Sequence, residues 1–215
     1  MNKSSVILAI TVIICAICFR EQLLQAQSQE VTGDSEVLRE FRGEIARGMD
    51  IVERKRQVAA IETAFSRYTI QERARQLAHL CYEKTLGTLF MPMDLAEIAL
   101  AETGGHGLSA KAVSVKGALG VWQLMPFRAK SHGYSPNEMV NDEKCADAAV
   151  RELSIKLQMA RGNISKAKKL YCGIGPDADA YELKQRQFRM EIMRVLDNAV
   201  TKRREITHKL MAQSS

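Results

Sequence analysis

Glycine and proline are concentrated at four places in the middle of this chain, and these clusters constrain the fold more than any other feature of the sequence. The clusters lie at residues 87–92, 104–107, 117–126 and 173–176. Glycine lets the backbone turn sharply and often ends a helix, whereas proline can open a helix at its first turn but cannot continue one. The region from 87 to 176 is therefore predicted to contain helices separated by loops.

Outside these clusters the sequence has the composition of helices. Alanine, leucine and long polar residues dominate, and only 6% of the residues are aromatic, which favours helix over sheet. The stretch 108–126 is rich in small and β-branched residues and is predicted to be loop with at most a short hairpin. The fold class is predicted to be mainly α. Helices are expected at 94–102, 126–133, 142–160, 164–171 and 181–209.

Residues 36–90 are predicted to form a helical N-terminal region. Apolar residues recur there at steps of three and four, the spacing of one helix face, and the helix is expected to break before Thr88. This face either packs against the rest of the protein, which the sequence favours, or binds a partner. Its apolar residues are Leu38, Phe41, Ile45, Met49, Val52, Val58, Ile61 and Phe65.

Residues 1–26 are predicted to be a signal peptide or an N-terminal membrane anchor. Lys3 precedes the apolar stretch 6–19, which is short for a membrane-spanning helix and is followed by charged residues. A linker at 27–35 follows. The remainder of the chain is expected to work outside the cytoplasm, where cysteines meet an oxidising compartment. Three of them, Cys81, Cys145 and Cys172, either form one disulfide with one thiol left over or remain buried thiols.

The charge pattern excludes some functions. The net charge is +6, but the 31 Lys and Arg residues are spread along the chain beside 25 acids. The sequence has no zinc-finger spacing, no glycine-rich phosphate loop after a strand and no basic run interleaved with aromatics. We therefore expect no nucleic-acid partner.

Glu102 is the best candidate for a reactive group. It ends an apolar helix, and the next acid along the chain is Glu138. A carboxylate at a helix C-terminus faces the negative end of the helix dipole, and an apolar wall desolvates it, so both effects disfavour its ionised form. Such an acid can hold a proton near neutral pH, as cleavage of a glycosidic bond requires. The alternative is an exposed helix-end glutamate without a role.

The residues that follow Glu102 carry a more specific pattern. Thr103 comes directly after it, and a block that is rich in glycine and ends at Pro126 follows. That block reads Ser114-Val115-Lys116-Gly117-Ala118-Leu119-Gly120-Val121-Trp122-Gln123-Leu124-Met125-Pro126. It resembles the signature of the soluble lytic transglycosylase family, in which a catalytic Glu and a Ser precede a Ser-x-x-Gly-Ala-x-Gly-Leu-Met-Gln-Leu-Met-Pro block.

Looser matches to the same family lie downstream. The stretch 141–153 is similar to a family helix, and 166–173 is similar to the Ala-x-x-Tyr-Asn-x-Gly segment. Tyr171 matches the family tyrosine that lies near the catalytic glutamate. The chain departs from the pattern where Thr103 replaces Ser, Val121-Trp122 replaces Leu-Met and Cys172 replaces Asn.

The resemblance implies a lysozyme-like α+β catalytic domain at 91–181, mostly helices, with long flanking helices and a C-terminal helix and tail at 182–215. It implies that Glu102 alone protonates the β-1,4 bond between N-acetylmuramic acid and N-acetylglucosamine in peptidoglycan. Glu102 then acts as base on the muramyl 6-hydroxyl, which gives a 1,6-anhydro end without metal or cofactor. A hydrolytic muramidase and a catalytically inactive peptidoglycan-binding or assembly protein are the alternatives.

The resemblance also suggests residues for the substrate groove. Gly117 and Gly120 let the backbone approach a sugar, and Gln123 offers a donor and an acceptor. Trp122 and Met125 either line the groove or belong to the core, the core being favoured for Met125. The predicted substrate-binding residues are Ser114, Gly117, Gly120, Gln123, Trp122 and Tyr171.

No second catalytic carboxylate is evident in the sequence. Asp94 and Glu97 are expected to be solvent-facing or capping residues, and Glu138, Asp142 and Glu143 could approach Glu102 only through the fold. The expected partners are peptidoglycan and an envelope-spanning secretion, conjugation or phage machine. The expected location is bacterial, either periplasmic or anchored in the inner membrane and facing the periplasm.

Overall fold

The computed structural model describes residues 50–173 and 175–213, and these form seven α-helices and no strand. Contacts divide the chain into two units, 1–51 and 52–215, and the helices belong to the second apart from the first two residues of α1. The prediction of a mainly α fold is confirmed. The helices are α1 (50–65), α2 (Gln71–Thr85), α3 (Pro92–Thr103), α4 (Pro126–Ser131), α5 (Asp142–Met159), α6 (Ile164–Cys172) and α7 (Pro176–Gln213), with 3-10 turns at Gly104–His106 and Pro136–Val140.

Helix α3 is the centre of the molecule. It begins at Pro92, which occupies the first helical turn where its missing N–H costs nothing. Every residue from Pro92 to Ala101 is buried, so the helix is enclosed on all sides by other elements. Its main neighbours are α2 and α7. A helix enclosed in this way holds its last turn, which carries Glu102, in a fixed position.

Helix α1 packs against this core. Ile61 and Phe65 are fully buried in the same apolar cluster as Leu95 of α3. The guanidinium of Arg54 donates hydrogen bonds to the carbonyl oxygens of Thr85, Thr88 and Phe90 at 2.6–3.0 Å. The packing prediction is therefore right for these described residues. Val52 stays 60% exposed, and the apolar residues from Leu38 to Met49 lie outside the described part.

The sequence predicts that Asp94 and Glu97 of α3 cap the helix or face solvent, and Asp94 agrees with this prediction whereas Glu97 does not. Asp94 does cap the helix, since its carboxylate accepts a hydrogen bond from the backbone N–H of Met91 at 2.8 Å, but it is buried. Glu97 is only 1% exposed and was wrongly expected to face solvent. Both acids bind Lys168 of α6 and Arg189 of α7. Long-range ion pairs of this kind leave no periodic signal in a sequence, and here they join three helices.

The last helix begins earlier than predicted. Helix α7 starts at Pro176 instead of 181, because a proline directly after Gly175 opens a helix instead of separating two. The predicted domain boundary at 181/182 therefore falls inside a continuous helix. The other predicted helices in the region 92–172 lie within about two residues of their observed ends.

The loop between α3 and α4 contains no strand. Isolated bridges join Val113 to Leu119 and Leu119 to Leu124, which agrees with the prediction of at most a short hairpin. No helix of the described ranges is long and apolar enough to cross a membrane. The predicted signal or anchor at 1–26, the linker at 27–35 and residues 36–49 lie outside those ranges and stay predictions.

Candidate active site

Glu102 lies in the last turn of α3 and is half-buried. The next residue, Thr103, is fully buried, and its hydroxyl donates a hydrogen bond to the carbonyl oxygen of Val121 at 2.9 Å. This bond joins the end of the helix directly to the glycine-containing loop. The carboxyl group of Glu102 is thereby held beside that loop.

Three further contacts fix the loop. The indole N–H of Trp122 donates to the carbonyl oxygen of Leu95 at 3.0 Å, and the hydroxyl of Tyr171 donates to the carbonyl oxygen of Trp122 at 2.9 Å. Gly120 has a positive φ of 73°, and a Cβ atom there would lie 2.4 Å from the carbonyl oxygen of Met139. Only glycine allows the loop to approach the neighbouring backbone this closely.

A cleft of about 400 Å³ opens beside Glu102. Four of the predicted site residues lie together in its wall, namely Glu102, Ser114, Gln123 and Tyr171. The other lining residues are Val115, Lys116, Ala118, Leu124, Met125, Arg128, Glu152 and Cys172.

Ser114 and Gln123 are held by hydrogen bonds to the loop itself. The Ser114 hydroxyl oxygen accepts a hydrogen bond from the backbone N–H of Ala118 at 2.9 Å. The Gln123 amide nitrogen donates to the carbonyl oxygens of Gly120 at 2.7 Å and Ala112 at 3.3 Å. The two amide hydrogens are thus engaged, and Gln123 retains its amide oxygen as an acceptor for a ligand.

Three predicted substrate-binding residues do not line the cleft. Trp122 is fully buried in the core, because its ring packs beneath the loop and its N–H bonds to α3. Gly120 contacts the backbone of Met139, so its role is close packing. Gly117 has a φ of 82° and lies in the tight turn after Ser114. Met125, for which the core was favoured, is half-buried and does line the cleft.

Burial changes the acidity of the central carboxyl. Loss of hydration raises the pKa of Glu102 from 4.5 to about 7. Hydrogen bonding to Tyr181 and the positive charge of Lys184 act in the opposite direction and lower that pKa. Glu102 is therefore protonated in a large fraction of molecules at neutral pH, which is the state of a general acid.

Tyr181 and Lys184 of α7 were not predicted as site residues. The Tyr181 hydroxyl is buried without a partner of ordinary hydrogen-bond geometry among the described residues, but it lies near enough to stabilise the Glu102 carboxylate. The Lys184 ammonium donates to the carbonyl oxygen of Ala101 at 2.5 Å, one residue before the acid. Tyr181 and Lys184 are about 80 residues away from Glu102 in the sequence, so no local sequence pattern could have predicted that they lie near it.

A second carboxylate, Glu152 of α5, also lines the cleft. It is 4% exposed and forms ion pairs with Arg128 and with Lys156, the latter at 3.3 Å. Its other oxygen lies 3.0 Å from the Nε2 atom of His132. The acids considered from sequence lie elsewhere: Glu138, Asp142 and Glu143 pair with Lys144, Arg73 and Lys84, respectively.

A larger cavity of about 570 Å³ lies at the junction of α3, α6 and α7. Its walls include Asp94, Glu97, Lys168 and Arg189, whose charges neutralise one another. Burial also raises the pKa of Glu97 in this larger cavity, but Glu97 forms ion pairs with Lys168 and Arg189. We place the candidate active site in the smaller cleft, because burial there raises the pKa of Glu102 to about 7. No group of three metal-ligating side chains occurs in the described ranges.

Cys81 and Cys145 form no disulfide. Cys81 and Cys145 are buried free thiols, and burial raises the pKa of the Cys145 thiol to about 12. Cys172 is exposed and lines the cleft, where the resemblance implied an asparagine.

Comparison with known proteins locates the same region. Residues 85–191 match the family model described as Transglycosylase SLT domain. The matched range contains α3, the glycine-containing loop and every residue that lines the cleft. No curated protein and no solved structure matches the chain.

Proposed function

Residues 85–191 belong to the transglycosylase SLT domain family, and we propose that this chain cleaves peptidoglycan strands between N-acetylmuramic acid and N-acetylglucosamine with Glu102 as acid and base. The family supports a lytic transglycosylase that acts on peptidoglycan. The position of Glu102 supports its role, because it is the acid with a strongly raised pKa in the cleft wall.

The proposed reaction begins with proton transfer from Glu102. The protonated carboxyl donates its proton to the glycosidic oxygen as the bond to the leaving sugar breaks, and the acetamido group of the muramyl unit stabilises the anomeric carbon. The resulting Glu102 carboxylate then takes the proton of the muramyl 6-hydroxyl, whose oxygen bonds to the anomeric carbon. A pKa near 7 suits both steps, because the group must give up a proton and recover one at similar pH.

A single catalytic carboxylate is supported by the contacts of Glu152. Ordinary glycosidases use a second carboxylate as nucleophile or as base for water. Glu152 lines the cleft, but its two oxygens are engaged by Arg128, His132 and Lys156. A carboxylate with three partners is a poor base, because protonating it would break those interactions.

A hydrolytic muramidase is the alternative function, and the position of Glu152 in the cleft wall is the observation that favours it. If Glu152 exchanged its partners for a water molecule, the cleft would hold the acid and base of an ordinary glycosidase. The two functions differ in their products, since hydrolysis gives reducing ends whereas the transglycosylase reaction gives 1,6-anhydro ends.

We also propose that the enzyme works outside the cytoplasm of a bacterium, free in the periplasm or anchored in the inner membrane. The pattern at 1–26, with Lys3 before an apolar stretch, supports export. Local opening of the wall for a secretion, conjugation or phage machine is the proposed role.

Release of soluble fragments from purified sacculi tests the proposed activity. We expect the parent protein to release fragments and the Glu102→Gln variant to release none above background. The matched control is Glu138→Gln, which removes an exposed carboxylate outside the cleft. Equal release by the parent and by Glu102→Gln would contradict the proposal.

A further inference from the structure

The cleft contains a charged pair that the proposed reaction does not use. Arg128 comes from the short helix α4 and Glu152 from α5, and both line the same cleft as Glu102. The Nη1 atom of Arg128 forms an ion pair with the Oε1 atom of Glu152. The Arg128 side chain remains 23% exposed, whereas that of Glu152 is 6% exposed. The carboxylate is therefore buried behind a guanidinium that still reaches solvent.

The surroundings of this pair leave one positive charge in excess. Glu152 faces two cations, Arg128 and Lys156, and one imidazole, His132. Burial is the main factor that lowers the pKa of His132, the charges of Arg151 and Arg128 lower it further, and the charge of Asp147 acts in the opposite direction. The imidazole carries no negative charge in either protonation state. The nearby Arg151 is balanced by Asp147 at 2.7 Å. Two cations and one anion therefore meet at the wall of the cleft.

Arg128 is held in a defined orientation. Glu152 fixes one side of the guanidinium, and the ring of Phe127 lies 5.6 Å from its central carbon. A guanidinium has five N–H donors, and one carboxylate can accept at most two of them in a fork. Arg128 therefore has donors to offer a second anion, and its orientation is set before that anion arrives.

We propose that Arg128 determines substrate specificity by binding a carboxylate on the muramyl unit, and that Glu152 positions its guanidinium. This inference rests on the proposed function, because it assigns the substrate group that the cleft recognises. Lys116 lines the same cleft, and the Glu102 carboxyl carries no negative charge while it holds the proton that the proposed reaction requires. The carboxylate belongs either to the peptide stem or to the lactyl ether that is exposed when the stem is removed.

Three forms of one substrate separate charge from shape. The first is intact sacculi, the second is sacculi whose carboxylates have been amidated with carbodiimide and ammonia, and the third is strands stripped of their stems. The parent is expected to cleave intact sacculi with a kcat/KM about tenfold higher than amidated sacculi, the effect of losing one charge-assisted hydrogen bond. Intact sacculi hold the lactyl carboxyl as an amide, so a preference for intact over amidated sacculi would assign a stem carboxylate, whereas a preference for the stripped strands over both other forms would assign the lactyl carboxylate.

The variant Arg128→Met tests the residue itself. We expect this variant to have a higher KM for intact sacculi and an almost unchanged KM for amidated sacculi, so that it no longer prefers the carboxylated substrate. Arg128→Lys should keep part of the preference. Lys130→Met removes an equal charge from the same helix at an exposed position outside the cleft lining and should keep the full preference. Equal losses on intact and amidated sacculi, or no preference in the parent, would overturn the proposal.

A binding measurement keeps this test independent of catalysis. Co-sedimentation of Glu102→Gln with intact and amidated sacculi reports recognition alone, and adding Arg128→Met should remove the difference in bound fraction. A parent that cleaves neither substrate would contradict the proposed function. The difference in bound fraction between intact and amidated sacculi would still decide the role of Arg128. For positioning by Glu152, we expect Glu152→Gln to raise KM on intact sacculi with kcat retained. A fall in kcat on both substrates would contradict the positioning role.

Discussion

The hydroxyl of Thr103 donates a hydrogen bond to the carbonyl oxygen of Val121 at 2.9 Å, and both residues are fully buried. This contact joins the end of the central helix, one residue after Glu102, to the loop that forms one wall of the cleft. Together with the hydrogen bond from Trp122 to Leu95, this contact sets the position of the acid relative to that wall.

Replacing that hydroxyl should weaken both the fold and the activity. In Thr103→Val the carbonyl oxygen of Val121 loses its buried donor, which costs about 1–3 kcal/mol of unfolding free energy. Thr103→Ser keeps the donor and is expected to lose less stability and to remain active. Urea denaturation and fragment release from sacculi measure the two effects. Equal stabilities of Thr103→Val and the parent would show that this bond contributes nothing.

The loop glycines are predicted to differ in their tolerance of alanine. Gly120→Ala places a Cβ atom 2.4 Å from a backbone oxygen at a positive φ, so we expect a loss of about 3 kcal/mol or more. Gly117→Ala has a positive φ but meets no atom within 4 Å, and it should lose only about 1 kcal/mol. Thermal or urea unfolding compares them. Similar losses would contradict the close approach at Gly120.

The raised pKa of Glu102 predicts a pH-dependent gain in stability for Glu102→Gln. The folded protein binds the proton of Glu102 more tightly than the unfolded chain does. The stability that this proton contributes is therefore fully present below about pH 4.5 and is lost as the pH rises through about 7. Gln carries no such proton. We expect the variant and the parent to have similar free energies of unfolding at pH 5. At pH 8 the variant should be about 2 kcal/mol more stable, a value reduced because the carboxyl is partly exposed to solvent.

Urea unfolding of both proteins at the two pH values measures this difference. Glu138→Gln is the control, and its stability difference from the parent should be nearly the same at both pH values, because the folded protein holds Glu138 ionised at both. Hydrogen bonds from Lys144 and Ser135 lower the pKa of that exposed carboxyl to about 2. A stability difference between Glu102→Gln and the parent that does not change with pH would contradict the raised pKa.

Removing either of the groups that stabilise the Glu102 carboxylate should move the pH profile upward. Tyr181→Phe removes a hydrogen-bond donor and Lys184→Met removes a positive charge, and both groups lower the pKa of Glu102. Because the acid must be protonated to act, the alkaline limb of kcat/KM should shift to higher pH in each variant. The hydroxyl of Tyr181 is buried without a partner of ordinary geometry, so its removal should cost little stability.

Profiles of kcat/KM against pH, measured with the parent and both variants, test this prediction. Lys169→Met is a suitable control, since Lys169 is on α6 and pairs with Asp179 and Glu182 away from the cleft. An alkaline limb that stays in place, or moves to lower pH, would show that Tyr181 and Lys184 do not tune Glu102.

Much of the fold could be predicted because its signals are local. Glycine and proline mark the ends of α3, α4 and α6, and helix-forming composition fills the intervals. Glu102 could be singled out as a candidate for the same reason, since the apolar helix that it ends and the block that follows it lie in one short stretch of sequence.

The features that the sequence could not predict depend on contacts between residues that are distant in the sequence. Trp122 was a candidate for the groove because its side chain suits a sugar, but the turn at Gly120 directs the ring into the core. Glu97 resembles a surface residue in the sequence and is buried only because Lys168 and Arg189 arrive from other helices. The partners of Glu102 on α7 and the pair of Arg128 with Glu152 likewise exist only after the helices have packed.

The most direct test of the central claim is mass spectrometry of the muropeptides released from purified sacculi. If Glu102 acts alone as acid and then as base on the muramyl 6-hydroxyl, the parent releases fragments with 1,6-anhydro ends, each lighter by one water than a reducing end, and Glu102→Gln releases none. Fragments from the parent that end only in reducing sugars would contradict this account and identify a hydrolase.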